Sequence, residues 1–175
     1  GSMMGSGGMI VMDEDNCMVD VARYFIEFLK GESCGKCAPC REGLTRLGEI
    51  LTRITRGEGR PEDLETMQDL AEVLDIGALC GLGRTAANPV LSTIRYFKDE
   101  YLAHIIDKKC PAGVCRELIE FCINAEKCTG CGVCARVCPT KAATGEKKQP
   151  HVINQEMCIK CGACFDACKF DAVMK

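Results

Sequence analysis

The sequence has no tryptophan, three tyrosines, six phenylalanines and two histidines among 175 residues. It has no excess of positive charge: 22 Lys and Arg stand against 25 Asp and Glu, a formal balance of −3. No cationic stripe exists to follow a phosphate backbone, which excludes a basic nucleic-acid binder. No apolar run approaches the ~18–20 residues of a membrane span. No basic-then-apolar leader opens the chain. The opening Gly1 to Gly8 is instead uncharged and rich in glycine and serine, the composition of a linker or of a piece cut from a longer protein. The P-loop is missing, and Gly5-Ser6-Gly7-Gly8 lacks the strand and helix that a dinucleotide fingerprint needs. No Ser–His–Asp set has a plausible context. No motif in the chain therefore points to an active site or to a nucleotide-binding site.

What the sequence has in excess is cysteine, sixteen in all. Without an export signal the expected compartment is the reducing cytoplasm, where clustered thiols serve as metal ligands more often than as disulfides.

Apolar spacing predicts four helices. The first carries Met18, Val21, Ala22, Phe25, Phe28 and Leu29, and the second Leu44, Leu47, Ile50, Leu51 and Ile54. The third opens at Pro61 with Glu62 and Asp63 in its first turn. Asn88-Pro89 opens a fourth and longer helix that runs through Phe97 and Tyr101 to Ile105. Short connections between amphipathic helices predict a bundle over residues 17–107. From about residue 123 the text repeats at an offset of 30: a strand-like run, an acidic residue, then four cysteines.

The repeated run is Cys128-x2-Cys131-x2-Cys134-x3-Cys138-Pro139, matched by Cys158-x2-Cys161-x2-Cys164-x3-Cys168. Structural zinc ribbons prefer two separated CxxC pairs to three evenly spaced thiols and a fourth. The pattern resembles bacterial two-cluster ferredoxins over about the last 55 residues. The resemblance implies one [4Fe–4S] cluster on Cys128, Cys131, Cys134 and Cys168. It implies a second on Cys158, Cys161, Cys164 and Cys138. Lys169 stands where the first copy has Pro139, a departure that removes no ligand. Gly130, Gly132 and Gly162 are expected to let backbone N–H groups approach the sulfurs.

A second constellation is Ser33-Cys34-Gly35-Lys36-Cys37-Ala38-Pro39-Cys40-Arg41-Glu42-Gly43. The next thiol is Cys80, in the glycine-rich run Gly77 to Gly83, which short connections can bring beside Cys34 to Cys40. With Asn88-Pro89-Val90 and Arg95 to Tyr101, the stretch resembles the C-terminal helical domain of the NADH-oxidising flavoprotein subunits of complex I and of NAD(P)-linked hydrogenases and formate dehydrogenases. Gly5 to Asp13 resembles the end of that family's preceding ubiquitin-like domain. The resemblance implies a third [4Fe–4S] cluster on Cys34, Cys37, Cys40 and Cys80, fed by a flavin upstream; a mixed zinc site is the alternative.

Four thiols remain. His104, Cys110, Cys115 and Cys122 give one imidazole and three thiolates within 19 residues. A closed Cys3His tetrahedron of zinc suits that set. Unassigned thiols and another iron centre are the alternatives. Cys17 has no partner by spacing and is expected as a buried structural thiol. His151, at the head of a strand, is expected at the solvent edge.

The fold class expected is α plus small α+β. A tail of the preceding domain or a linker covers 1–16, a four-helix iron–sulfur bundle 17–107, a zinc-binding connector 108–122 and a two-[4Fe–4S] ferredoxin-like domain 123–175. Three oxidised cubes at about −2 each move the formal charge to about −9, which favours a partner face of positive charge. An appended two-cluster module resembles the NADH-binding subunit of multimeric iron-only hydrogenases, including NADP-reducing and electron-bifurcating types. The implied role is an electron relay from an upstream FMN/NAD(H) site to other subunits or to ferredoxin. The same module in an NAD-dependent formate dehydrogenase, a free-standing ferredoxin-like carrier and a zinc-dominated interaction module are the alternatives.

Overall fold

A computed structural model describes residues 7–175, so most of the glycine- and serine-rich opening lies outside the described residues. The chain divides into two compact units, residues 1–118 and 119–175. The boundary falls inside the stretch expected as a connector, and residues 108–118 belong to the first unit.

The first unit is helical. Helix α1 spans Met18–Glu32, α2 Ala38–Thr55 and α3 Asp63–Gly77. A short α4 spans Gly81–Thr85, α5 Asn88–Tyr96 and α6 Lys98–Leu102. Its core is built at helical spacing from Val19, Ala22 and Ile26, from Leu44, Leu47, Leu51 and Ile54, and from Met67 and Leu74. The buried face of α1 differs from the expected stripe. Val19 and Ile26 point inward, whereas Phe28 is exposed and lines a surface groove with Phe25, Leu29 and Tyr96. Helix α1 carries apolar residues on a wide arc, and its packing against α2 and α5 selects which part is covered.

The expected long fourth helix is broken. Phe97 leaves helical geometry at φ −131°, ψ 36°, and separates α5 from α6. Thr93 bonds back to the Pro89 carbonyl at 2.7 Å, a contact that bends helices, and its hydroxyl also meets the Tyr101 hydroxyl at 2.8 Å. Tyr101 is fully buried, and the link ties the two helices across the break. Asp99 and Glu100 then give α6 an acidic first turn. After α6 the helix widens to a π turn over Ala103–Asp107 and ends at Lys108, which adopts the left-handed conformation.

The second unit keeps the 30-residue repeat in its backbone. Strand β1 (Cys122–Ile123) and helix α7 (Val133–Val137) correspond to β3 (Val152–Ile153) and α8 (Ala163–Asp166). Strand β2 (Ala143–Thr144) corresponds to β4 (Val173–Met174). Pairing is exchanged between the copies. β1 pairs antiparallel with β4, Cys122 opposite Met174, and β2 pairs antiparallel with β3, Ala143 opposite Ile153. The exchange continues beyond the strands: Asn124 N–H donates to the Ala172 carbonyl at 2.7 Å, and Asn154 N–H to the Ala142 carbonyl at 2.9 Å. Among the described residues no helix is long and apolar enough to cross a membrane.

One ion pair holds the α2–α3 turn. Asp63 is buried and accepts from the Arg53 guanidinium and, at 2.8 Å, from the Arg60 N–H. Removing the carboxylate strands a guanidinium that is still a third exposed. We therefore expect Asp63→Ala to destabilise the helical unit by about 2 kcal/mol, below the cost of breaking a fully buried pair. Anaerobic denaturant unfolding followed by helical circular dichroism checks this.

Candidate metal centres

The strand exchange decides where the fourth cysteine of each repeat goes. Cys138 precedes β2, and β2 pairs with the first strand of the other repeat. Cys138 is thereby carried into a pocket whose other thiols are Cys158, Cys161 and Cys164. Cys168 precedes β4 and is carried in the same way into a pocket with Cys128, Cys131 and Cys134. The two cavities hold the two crossed sets of four thiols that the ferredoxin resemblance implies.

Local backbone shapes both cups. Gly132 and Gly162, with φ +72° and +78°, start α7 and α8 from left-handed geometry. Alternation of this kind turns successive N–H groups toward one concave point, the arrangement of many iron–sulfur cradles. Gly130 has φ +67°, and a Cβ there would meet backbone atoms of Gln149 and Lys148 within 2.6 Å, so no side chain fits. Lys160 takes the equivalent left-handed position in the second copy, and its N–H donates to Cys158 Sγ at 3.4 Å. Ala142 N–H donates to Cys138 Sγ at 3.2 Å and Ala172 N–H to Cys168 Sγ at 3.4 Å.

The thiols titrate in matched pairs. Burial opposes ionisation of Cys138, but N–H groups of Ala143 and Ala142 and the Thr140 hydroxyl outweigh it and lower its pKa. Cys168 is lowered in the same way by the N–H groups of Phe170, Ala172 and Val173. Cys134 and Cys164 are raised, by burial first and then by repulsion from the other two thiolates of their own repeat.

In the first unit, Cys37 caps α2 and Cys40 lies buried in its first turn. Ser33 places its hydroxyl 3.3 Å from Cys40 Sγ. The Gly77–Gly83 loop packs against this end. A Cβ at Gly77 would meet Pro39 at 2.9 Å, and one at Gly83 would meet Cys40 Sγ at 3.4 Å. The Leu79 N–H is the largest cause that lowers the Cys37 pKa. Cys80 is the residue before α4, in the same loop, so the chain brings Cys80 to the end of the unit that holds Cys34, Cys37 and Cys40.

The fourth group corrects the expected set. Cys122 is exposed in β1 and takes no part. The residue that joins His104, Cys110 and Cys115 is Cys17, at the start of α1. The four ligand atoms lie within 4.8 Å of one another, and all four residues are buried. His104 Nε2 stands 3.3 Å from Cys17 Sγ and 3.4 Å from Cys115 Sγ, and the two sulfurs are 3.7 Å apart. A zinc tetrahedron with ordinary bond lengths has S···S edges of about 3.8 Å and S···N edges of about 3.6 Å. The residues present therefore fit one tetrahedral ion.

The surroundings orient these ligands. His104 Nδ1 donates to the Glu100 carbonyl at 2.7 Å, which leaves Nε2 to face the sulfurs. The Glu100 carboxylate accepts from the Met18 N–H at 3.0 Å, so the same residue holds the start of α1 beside Cys17. Val114 and Cys115 N–H groups each donate to Cys110 Sγ at 3.4 Å. Burial disfavours charge on His104, yet the thiolates of Cys110 and Cys17 overcome it and raise its pKa to about 10. Hydrogen bonds from Cys115 and Cys17 lower Cys110, and the same shared proton raises Cys115. These four ligand atoms suit a single bound cation.

His151 also differs from expectation. It is buried, its Nδ1 donates to the Gln149 carbonyl at 3.2 Å, and it lines the cavity of Cys128, Cys131, Cys134 and Cys168. Its neighbour Gly145 leaves room for the ring, because a Cβ at 145 would lie 2.6 Å from it.

Comparison with known proteins agrees with this division. Residues 20–104 match the NADH-ubiquinone oxidoreductase-F iron–sulfur binding region, and residues 120–169 match a 4Fe-4S dicluster domain. The chain is 60% identical over 174 residues, 99% of its length, to the NADP-reducing hydrogenase subunit HndC of Solidesulfovibrio fructosivorans, and spans 36% of that protein. It is 44% identical over 111 residues, 63% of its length, to the F subunit of NADH-quinone oxidoreductase from Mycobacterium tuberculosis strain H37Rv, and spans 25% of it. Among solved structures, the NAD+-reducing [NiFe]-hydrogenase in its H2-reduced state shares 32% identity at a TM-score of 0.52, covering 54% of this chain and 16% of that one. Residues 20–104 belong to the family of the NADH-ubiquinone oxidoreductase-F iron–sulfur binding region, and residues 120–169 to that of the 4Fe-4S dicluster domain.

Proposed function

We propose that this chain is the electron-relay segment of an NADH-oxidising flavoprotein subunit in a multimeric NAD(P)-linked hydrogenase of the iron-only class, the class that includes electron-bifurcating enzymes. The observation that carries the reading is the pair of cavities, each walled by three thiols of one repeat and the fourth thiol of the other. In this reading Cys128, Cys131, Cys134 and Cys168 hold one [4Fe–4S] cluster and Cys158, Cys161, Cys164 and Cys138 a second. Cys34, Cys37, Cys40 and Cys80 hold a third in a four-helix iron–sulfur bundle. Bound there, the clusters supply one-electron storage. The chain's own residues fix the thiolates and donate N–H groups to their sulfurs. FMN and NAD(H) sites belong upstream in the parent chain, and other subunits or ferredoxin take the far end of the relay in the cytoplasm. The 60% identity to HndC, the subunit of an NADP-reducing hydrogenase, favours this over a formate dehydrogenase.

The crossed ligand sets make a count that a simple site would not. Anaerobically prepared chain should carry about twelve irons. Cys138→Ala combined with Cys158→Ala strips one cluster and should lose about four irons. Cys138→Ala combined with Cys128→Ala strips two and should lose about eight. Iron and sulfide analysis with EPR of the reduced protein checks both; the reverse pattern, about eight irons lost in the first variant and about four in the second, would refute the crossing, and wild-type protein without sulfide would refute the relay.

The fourth group is read as a structural zinc site on Cys17, His104, Cys110 and Cys115. Cys17→Ala should take zinc from about one per chain to none, and Cys122→Ala should leave it in place. Because the His104 pKa is raised to about 10 without metal, zinc must displace a proton from that ring. Zinc affinity should therefore rise steadily with pH across the neutral range, with proton release on uptake. Competition with a chromogenic chelator at several pH values measures this.

A further inference from the structure

The 30-residue repeat superposes the linings of the two cavities position by position. Ile123 answers to Ile153, Gly132 to Gly162 and Ala172 to Ala142, alongside the four thiols. Against that background three pairs change character, Thr140 against Phe170, Ile159 against Thr129, and one pair in which both residues are buried. Phe121 lines the cavity of Cys158, and His151 stands in its place in the cavity of Cys128. Both rings are buried, at 5% and 3% exposure.

His151 is not placed there by chance packing. Its Nδ1 is tied to the Gln149 carbonyl at 3.2 Å. The Gly145 backbone forms its seat, where a Cβ would lie 2.6 Å from the ring carbon and 2.8 Å from Nδ1. With Nδ1 engaged, Nε2 is the edge left toward Gly132, where a Cβ would lie 3.8 Å from it. Gly132 is the residue that starts α7, the helix that carries Cys134. A polar ring is thus clamped against one cup, and a benzene ring against the other.

We propose that His151 individually tunes the reduction potential of the cluster held by Cys128, Cys131, Cys134 and Cys168, so that the two cups of the repeat are electrochemically independent sites. This rests on the cluster assignment above. Reduction adds one negative charge to a cluster that is already anionic. Burial among apolar groups opposes that charge, and a polar group in the wall offsets the opposition. His151 therefore raises the potential of its own cluster above the value that a phenylalanine at the same position would give. The other cup has its own device, the Thr140 hydroxyl 3.7 Å from Cys138 Sγ. The effect of His151 is accordingly read one cluster at a time, not from the order of the two.

The test is a mediated redox titration of the whole cluster-loaded chain, followed by EPR, on wild type, His151→Phe, His151→Gln and Phe121→His. His151→Phe should lower the midpoint of one wave and leave the others in place. His151→Gln, which keeps a polar group, should restore most of the shift. Phe121→His should raise a different wave. Unchanged potentials in His151→Phe with the iron content of wild type would overturn the proposal, as would an equal shift of both ferredoxin-type waves. If His151→Phe loses iron, the Phe121→His protein decides: a raised wave supports the proposal and an unmoved one overturns it. Wild-type chain that carries no iron and sulfide in the second unit would instead sink the cluster assignment.

Discussion

Thiolates gathered at close range repel one another, and this chain gathers most of its cysteines into such groups. The consequence is visible in how their protons are held. Cys134 and Cys164 resist ionisation because they are buried and because two thiolates of their own repeat stand near. Cys110 and Cys115 divide a proton unequally, and His104 is driven toward the cationic state to balance the sulfurs. A cation at each site removes the repulsion and releases the protons. The second unit shows how strongly the fold leans on this. Its buried apolar core is Phe121, Cys164 and Val173, with Ile119, Ile123 and Ile153 packed against it beside Cys134, Cys158 and Cys168. A unit that small buries little apolar surface, so the thiols make up a large part of its core.

The exchange of strands between repeats follows from the same need. Each repeat supplies a loop with three thiols, and a loop alone leaves a cup open on one side. Pairing β1 with β4 and β2 with β3 swings Cys168 and Cys138 across to close the opposite cups. Neither cup has its four thiols unless both repeats are folded. The strands are only two residues long, too short to pair stably by themselves. Ligation and pairing therefore support each other.

What is legible in the amino-acid sequence is whatever is encoded at short range. Even spacing of Cys128, Cys131 and Cys134, and its copy 30 residues on, marks the cups. The nearness of His104, Cys110 and Cys115 marks three quarters of the fourth group. Long-range information is not legible. Cys17 lies 87 positions from His104, and nothing in local spacing links them; spacing favours Cys122 only because it is the next thiol along the chain. One signal points the right way: Cys17 stands immediately before α1, and a thiol at a helix start that is also the first cysteine of a ligand-rich chain is a candidate in its own right. The break at Phe97 is hidden because apolar spacing continues through it. The burial of His151 is hidden because strand position alone does not reveal the glycine seat that admits its ring.

The placement of Cys17 changes what the fourth group does for the fold. A pin among His104, Cys110 and Cys115 alone would stiffen one turn. With Cys17 included, an ion bound by the group would tie the residue before α1 to Cys115, 98 positions further on. Constraints that close long loops remove the most freedom from the unfolded chain, roughly 4–5 kcal/mol for a loop of this length on the entropy scale used for disulfides. Glu100 prepares that closure without metal. Its carbonyl sets the imidazole and its carboxylate holds the Met18 N–H, so one residue registers both ends of the loop against each other. The helical unit is therefore closed at the point where it hands the chain on, and the geometry at residues 33–40 and 77–83 is built inside a frame already fastened at its two ends.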